Sequence, residues 1–102
     1  MTTIIPVGYI PNKSLKDTAI ELTQKRLDDF ANTRDYQSIL SACSYANSSI
    51  PEFAIDGQYC TEARDMTWKK LYEVLFEIES DQSYLLQSYQ DIENKLPLLI
   101  WP

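Results

Sequence analysis

The longest helical pattern in this 102-residue chain lies at residues 51–79, PEFAIDGQYCTEARDMTWKKLYEVLFEIE. Apolar or small residues recur there at intervals of three and four, which is the spacing of one helical face. The positions of this face are Phe53, Ala54, Gly57, Cys60, Ala63 or Arg64, Thr67 or Trp68, Leu71, Val74 or Leu75, and Ile78. The opposite side carries Glu62, Asp65, Lys69, Glu73 and Glu77, and we expect it to face water. Such a helix spans about 40 Å, so we predict that it is the backbone of the fold.

Two shorter helices are predicted before it. The first covers residues 14–32, because leucine, alanine and phenylalanine recur there at helical spacing. The second covers residues 36–47, with Asp35 as its N-cap after a short polar break. Pro51 suits the first turn of the long helix and separates it from the second.

A short fourth helix is predicted after the long one. Ser88 and Asp91 have the spacing of a capping box, followed by Ile92 and, further on, Leu96. The sequence therefore predicts an all-α domain, a small bundle of three helices plus a short fourth. We divide the chain into an extended N-terminal arm at 1–13, a helical domain at 14–96 and an extended C-terminal tail at 97–102.

Both predicted arms are apolar. Pro6 and Pro11 exclude a helix and a central strand at the N-terminal end, and Pro97 and Pro102 bound the tail. Apolar side chains in an extended segment need cover, either on their own domain or on a partner, and both possibilities remain open here. We predict that the partner-binding residues are Ile4, Ile5, Val7, Tyr9, Ile10, Leu98, Leu99, Ile100 and Trp101.

The composition argues against an enzyme. The chain has no histidine, two glycines and two cysteines. These counts exclude a Ser-His-Asp or Cys-His centre, a histidine metal site and a glycine-rich phosphate loop. We expect no catalytic residue, no metal and no cofactor, and a function in binding.

The charge balance and the hydropathy pattern argue against nucleic acid and membrane as partners. Nine basic and fifteen acidic residues give a net charge of −6, which would repel a nucleic acid backbone. No stretch approaches the roughly 20 apolar residues of a membrane span, so we expect a soluble intracellular protein. Cys43 and Cys60 lie on predicted helices, and we expect both to be reduced core residues.

A resemblance adds to this interpretation. The motif at residues 30–46 is Phe-Ala-x-Thr-Arg-x-Tyr-x-Ser-Ile-Leu-Ser-Ala-Cys-x-Tyr-Ala. The motif at residues 51–68 is Pro-x-Phe-Ala-x-x-Gly-Gln-Tyr-x-x-x-Ala-Arg-Asp-x-x-Trp. Together they resemble a small helical domain of tailed bacteriophages, often encoded beside tail-fibre genes and found in fibre-assembly-like proteins. Relatives often carry this domain after a larger N-terminal region, whereas a bare arm precedes it here.

The resemblance implies a virus-encoded protein that binds a phage tail-fibre or baseplate protein, with an oligomeric state that follows this partner. It would act as an assembly chaperone in the host cytoplasm, or remain in the virion tail as a permanently bound subunit. The alternative is an acidic phage inhibitor that mimics DNA and acts on a host factor. A mimic needs carboxylates in two parallel rows, whereas here acids alternate with Lys13, Lys16, Lys25, Arg26, Lys69 and Lys70.

Overall fold

The described part of the chain is built from helices, of which the predicted long helix is the longest. In the computed structural model, which describes residues 15–80 and 88–102, the helices are α1 (Leu15–Asn32), α2 (Ile39–Cys43), α3 (Pro51–Ser80) and α4 (Tyr89–Glu93). The described residues form no strand, which confirms the all-α prediction. The predicted N-terminal arm and its apolar residues lie outside the described residues.

Helical periodicity places one face of each long helix in the interior. On α1 the buried residues follow one another at intervals of four: Ala19, Thr23, Leu27 and Ala31. On α3 the buried residues are Asp56, Gly57, Cys60, Thr67, Leu71, Val74, Leu75 and Ile78. The predicted apolar face of α3 is therefore largely confirmed, and the helix continues through Gly57 without a break.

The second helix is shorter than predicted, and the prediction that Asp35 caps it is wrong. Asp35 has a φ of 67° and belongs to the end of α1, where its N–H donates to the Asn32 carbonyl. The next N–H, of Tyr36, donates back to the Ala31 carbonyl, which is the pattern of a Schellman C-cap. Helix α2 begins instead after Ser38, whose hydroxyl accepts the Ser41 N–H at 3.1 Å.

The predicted start of α4 is confirmed. Ser88 is its N-cap, and the Ser88 N–H donates to the Asp91 carboxylate at 3.1 Å, as in a capping box. The tail that follows has no regular secondary structure. Ile92 and Leu96 are buried and anchor this part of the chain on the body.

Two hydrophobic clusters hold the helices together. The α4-side cluster consists of Ala19, Leu71, Val74, Leu75, Ile78, Ile92 and Leu96. The tail-side cluster has the buried members Leu27, Ala31, Ile39, Ala42 and Cys60, and half-buried aromatic residues and tail residues pack against it. Trp68 contacts both clusters and connects them.

Candidate interaction site at the tail

The tail, residues 97–102, is fixed to the helical body by Trp101. Its indole ring stacks on Phe30, with ring centroids 4.2 Å apart and planes inclined by 19°. The indole N–H donates to Thr33 Oγ1 at 2.9 Å, and the Arg34 guanidinium lies 4.5 Å from the ring centroid. A stack, a hydrogen bond and a cation–π contact together specify one ring orientation.

Two further hydrogen bonds hold the tail backbone. Arg26 Nη2 donates to the Pro97 carbonyl at 2.7 Å, and the Ile100 N–H donates to the Tyr59 hydroxyl at 2.9 Å. Arg26 is itself oriented by Glu93, with 3.6 Å between Nε and Oε1. The tail is therefore attached at its beginning to α1, in its middle to α3, and at its end to the C-terminal end of α1.

The predicted site residues of the tail divide into two sets. Leu99 and Trp101 pack against the tail-side cluster. Leu98 and Ile100 are 78% and 66% exposed. Successive side chains of an extended chain point to opposite sides, so a tail that docks one pair necessarily presents the other pair. The sequence left open whether the tail covers its own domain or a partner. Leu99 and Trp101 cover the chain's own domain, whereas Leu98 and Ile100 remain exposed.

An open groove of about 770 Å³ lies beside the end of the tail. It is lined by Arg34, Asp35, Tyr36, Tyr45, Glu52, Phe53, Ile55, Asp56 and Pro102. Its aromatic rings contact one another, with centroids 5.5 Å apart for Tyr36 and Tyr45 and 5.4 Å apart for Tyr45 and Phe53. Ile55 is exposed at this groove. Apolar surface therefore continues from the tail into the groove.

The polar part of the groove is built around Asp56, which is 7% exposed. Its carboxylate accepts from Arg34 Nη1 at 2.6 Å and from the Tyr36 hydroxyl at 3.0 Å. Burial, together with the hydrogen bond to Asp56, raises the pKa of Tyr36 to about 12. The phenol therefore stays protonated and acts as a donor, so this network orients side chains.

Gly57 positions the loop that carries Tyr45. A Cβ built on Gly57 would overlap the Ala46 nitrogen and lie 2.6 Å from the Tyr45 carbonyl carbon. The α2–α3 connection can therefore approach α3 only where no side chain intervenes. Gln58 Nε2 donates to the Ala46 carbonyl at 3.1 Å and secures the same loop.

The cysteines take no part in the site. Both are free, with Cys43 half-buried and Cys60 buried, as predicted. Burial raises the pKa of the Cys60 thiol to about 12, which removes the thiolate that a nucleophile requires. The described residues contain no group of three or more histidine, cysteine, aspartate or glutamate side chains placed to hold a metal ion.

Sequence reasoning missed the Arg34–Tyr36–Asp56 network. A signal was present, because Asp56 stands one turn before Cys60 on the buried face of α3, where a carboxylate requires a partner. The partners themselves lie 22 and 20 positions away, so local spacing could not identify them. The predicted residues Ile4, Ile5, Val7, Tyr9 and Ile10 lie outside the described residues.

The chain matches no family model, no curated protein and no solved structure. Among the helices in the described ranges, none is long and apolar enough to cross a bilayer.

Proposed function

We propose that this chain is a non-enzymatic phage tail-module protein that binds the tail fibre, as an assembly chaperone or as a permanently bound fibre or baseplate subunit. The resemblance at residues 30–68 supports this choice of partner. The observation that carries the binding role is the outward pair Leu98 and Ile100 on a tail fixed to the body.

A fixed apolar segment is well suited to binding. Its backbone is already ordered, so a partner need not supply the free energy of ordering it. Burying apolar surface contributes about 25 cal/mol per Å², and Leu98 and Ile100 are the two most exposed large apolar residues of the tail. Tyr45 and Phe53 line the groove beside Pro102 and supply rings of the kind that is enriched at protein interfaces.

The test is capture of the tail-fibre protein from the same phage by the purified chain. We expect the double substitution Leu98→Glu and Ile100→Glu to weaken binding by at least about tenfold, because it places two charges in the buried centre of the contact. Leu40→Glu is the matched control, since Leu40 is 65% exposed and lies on α2. Equal binding by all three proteins would overturn the proposal.

Point substitution is a sharper test than deletion of the tail. Leu99 and Trp101 belong to the tail-side cluster, so removing residues 97–102 would also remove part of the core packing. Changing the two outward residues leaves the contacts of Phe30, Thr33 and Tyr59 in place.

Mass spectrometry of purified virions separates the two forms of the proposal. A permanent subunit is present at a fixed copy number for each particle. An assembly chaperone is found with the fibre protein in host lysate and is missing from the mature particle.

A further inference from the structure

Helix α3 presents a second exposed surface, bordered by Lys95 and Pro97 where the chain passes from α4 into the tail. Six exposed residues recur along it at alternating intervals of four and three: Glu62, Met66, Lys69, Glu73, Phe76 and Ser80. We call this row the α3 seam. Alternation of four and three is the spacing of the contact positions of a coiled coil, which are ordinarily apolar, whereas only two of these six are. Met66 and Phe76, which are 60% and 68% exposed, are its apolar members.

The seam is complementary to itself when reversed. If a second copy of α3 is laid antiparallel with a twofold axis midway between Lys69 and Glu73, each Lys69 faces the Glu73 of the other copy. In the same register Met66 faces the second copy's Phe76, and Glu62 faces its Ser80. Each pairing occurs twice, as an isologous interface requires. A parallel arrangement would instead place Lys69 on Lys69 and Glu73 on Glu73.

The seam charges are available for such pairing. Among the described residues Lys69 and Glu73 form no ion pair with each other or with a neighbour. Lysine four residues before glutamate is the less favourable order within a helix. A methionine against an aromatic ring is a favourable contact, so the apolar pair fits as well as the charged pair.

We propose that two copies of this chain associate through antiparallel packing of their α3 seams. The seam from Glu62 to Ser80 is about 27 Å long and one helix wide, so the interface is at the small end of specific contacts. The net charge of −6 on each copy opposes association. We therefore expect a dissociation constant in the micromolar range. Pro97, at the start of the tail, borders the seam, but Leu98 and Ile100 are not among its members. The tests of the dimer and of fibre binding therefore change different residues.

The test is a charge exchange followed by sedimentation equilibrium from micromolar to near-millimolar concentration. Lys69→Glu and Glu73→Lys should each weaken self-association by at least about tenfold, because each places like charges opposite one another twice. An equimolar mixture of the two variants should restore a dimer. Both variants remain net negative, so attraction between whole molecules cannot account for that recovery.

An apolar substitution completes the test. Phe76→Ser should also reduce dimerisation at least tenfold, whereas Leu40→Ser, at a similarly exposed position on α2, should leave it unchanged. Circular dichroism verifies that the helix content of each variant is intact. A wild-type chain that stays monomeric throughout the concentration range would overturn the proposal. A dimer that is insensitive to Lys69→Glu, Glu73→Lys and Phe76→Ser would do the same.

Discussion

The two hydrophobic clusters are built in different ways. The buried residues of the α4-side cluster are aliphatic, and two rings, Trp68 and Tyr89, pack at its edge, whereas five rings pack around the tail-side cluster. Rings surround the tail-side cluster, and their polar atoms make directed hydrogen bonds to neighbouring elements. Aliphatic packing supplies burial without a strong orientation, whereas rings with polar tips specify where a segment lies. The first cluster therefore holds the bundle, and the second determines which tail residues face outward.

The largest effect is expected in the α4-side cluster. Leu71 is fully buried, and Leu71→Ala should lower the free energy of unfolding by about 2 to 5 kcal/mol, through lost burial and the cavity left behind. Denaturant unfolding followed by circular dichroism measures this change. Leu40→Ala is the control and should change the stability by less than about 0.5 kcal/mol, because Leu40 is exposed. Similar losses for both variants would show that this cluster does not hold the bundle.

The next effect concerns the tail-side cluster and its loop. At an unobstructed helix position, Gly→Ala adds about 1 kcal/mol of stability through helix propensity. At Gly57 the added methyl would overlap the backbone of Ala46, so Gly57→Ala should instead destabilise by about 1 to 3 kcal/mol. Denaturant unfolding distinguishes the two outcomes by the sign of the change in unfolding free energy. A stabilised variant would mean that the α2–α3 connection yields easily.

A smaller effect is expected for the ring that holds the tail. Trp101→Ala should cost about 1 to 2 kcal/mol, because a half-buried stack and its directed contacts are lost. Amide hydrogen exchange at Ile100 should accelerate at the same time, since its N–H depends on the docked tail. Trp101→Phe keeps the stacking and should retain most of the protection. Unchanged exchange in Trp101→Ala would show that Trp101 does not hold the tail.

The smallest expected effect is a change in how the unfolding free energy depends on pH, and it concerns Tyr36. Its pKa is raised from 10.0 to about 12, so the folded state favours the protonated phenol. This contribution is full below pH 10 and is lost as the pH rises from 10 towards 12. Tyr36→Phe should therefore show a shallower decline of unfolding free energy above pH 10 than the wild type. Identical pH profiles for the two proteins would contradict the network around Asp56.

The helices were largely predictable because the signals that define them are local. The spacing of Leu71, Val74, Leu75 and Ile78 predicts the buried face of α3, and Ser88 with Asp91 predicts the start of α4. Asp35 was misassigned because aspartate suits two local structures, an N-cap and a left-handed C-cap position. The left-handed φ of Asp35 and the contact of the Tyr36 N–H with the Ala31 carbonyl distinguish them.

The candidate site was predictable only in outline. The apolar character of Leu98, Leu99, Ile100 and Trp101 is plain in the sequence, but its division into inward and outward pairs is not. That division depends on Trp101, which meets Thr33 across 68 positions. The sequence predicts a charged, water-facing surface on this side of α3, and its charge pattern does not indicate that Met66 and Phe76 are exposed within it. Their exposure follows from which face of α3 the body covers.

The amino-acid sequence by itself determined the two long helices, the start of α4, the all-α class and the absence of histidine, because helical spacing, capping and residue counts involve only near neighbours or composition. Tertiary structure decided which apolar side chains are covered by the chain itself. That decision requires contacts between distant positions, such as Trp101 on Phe30 and Arg34 on Asp56. The sequence shows which side chains are hydrophobic, and only the packed molecule shows which of them are buried.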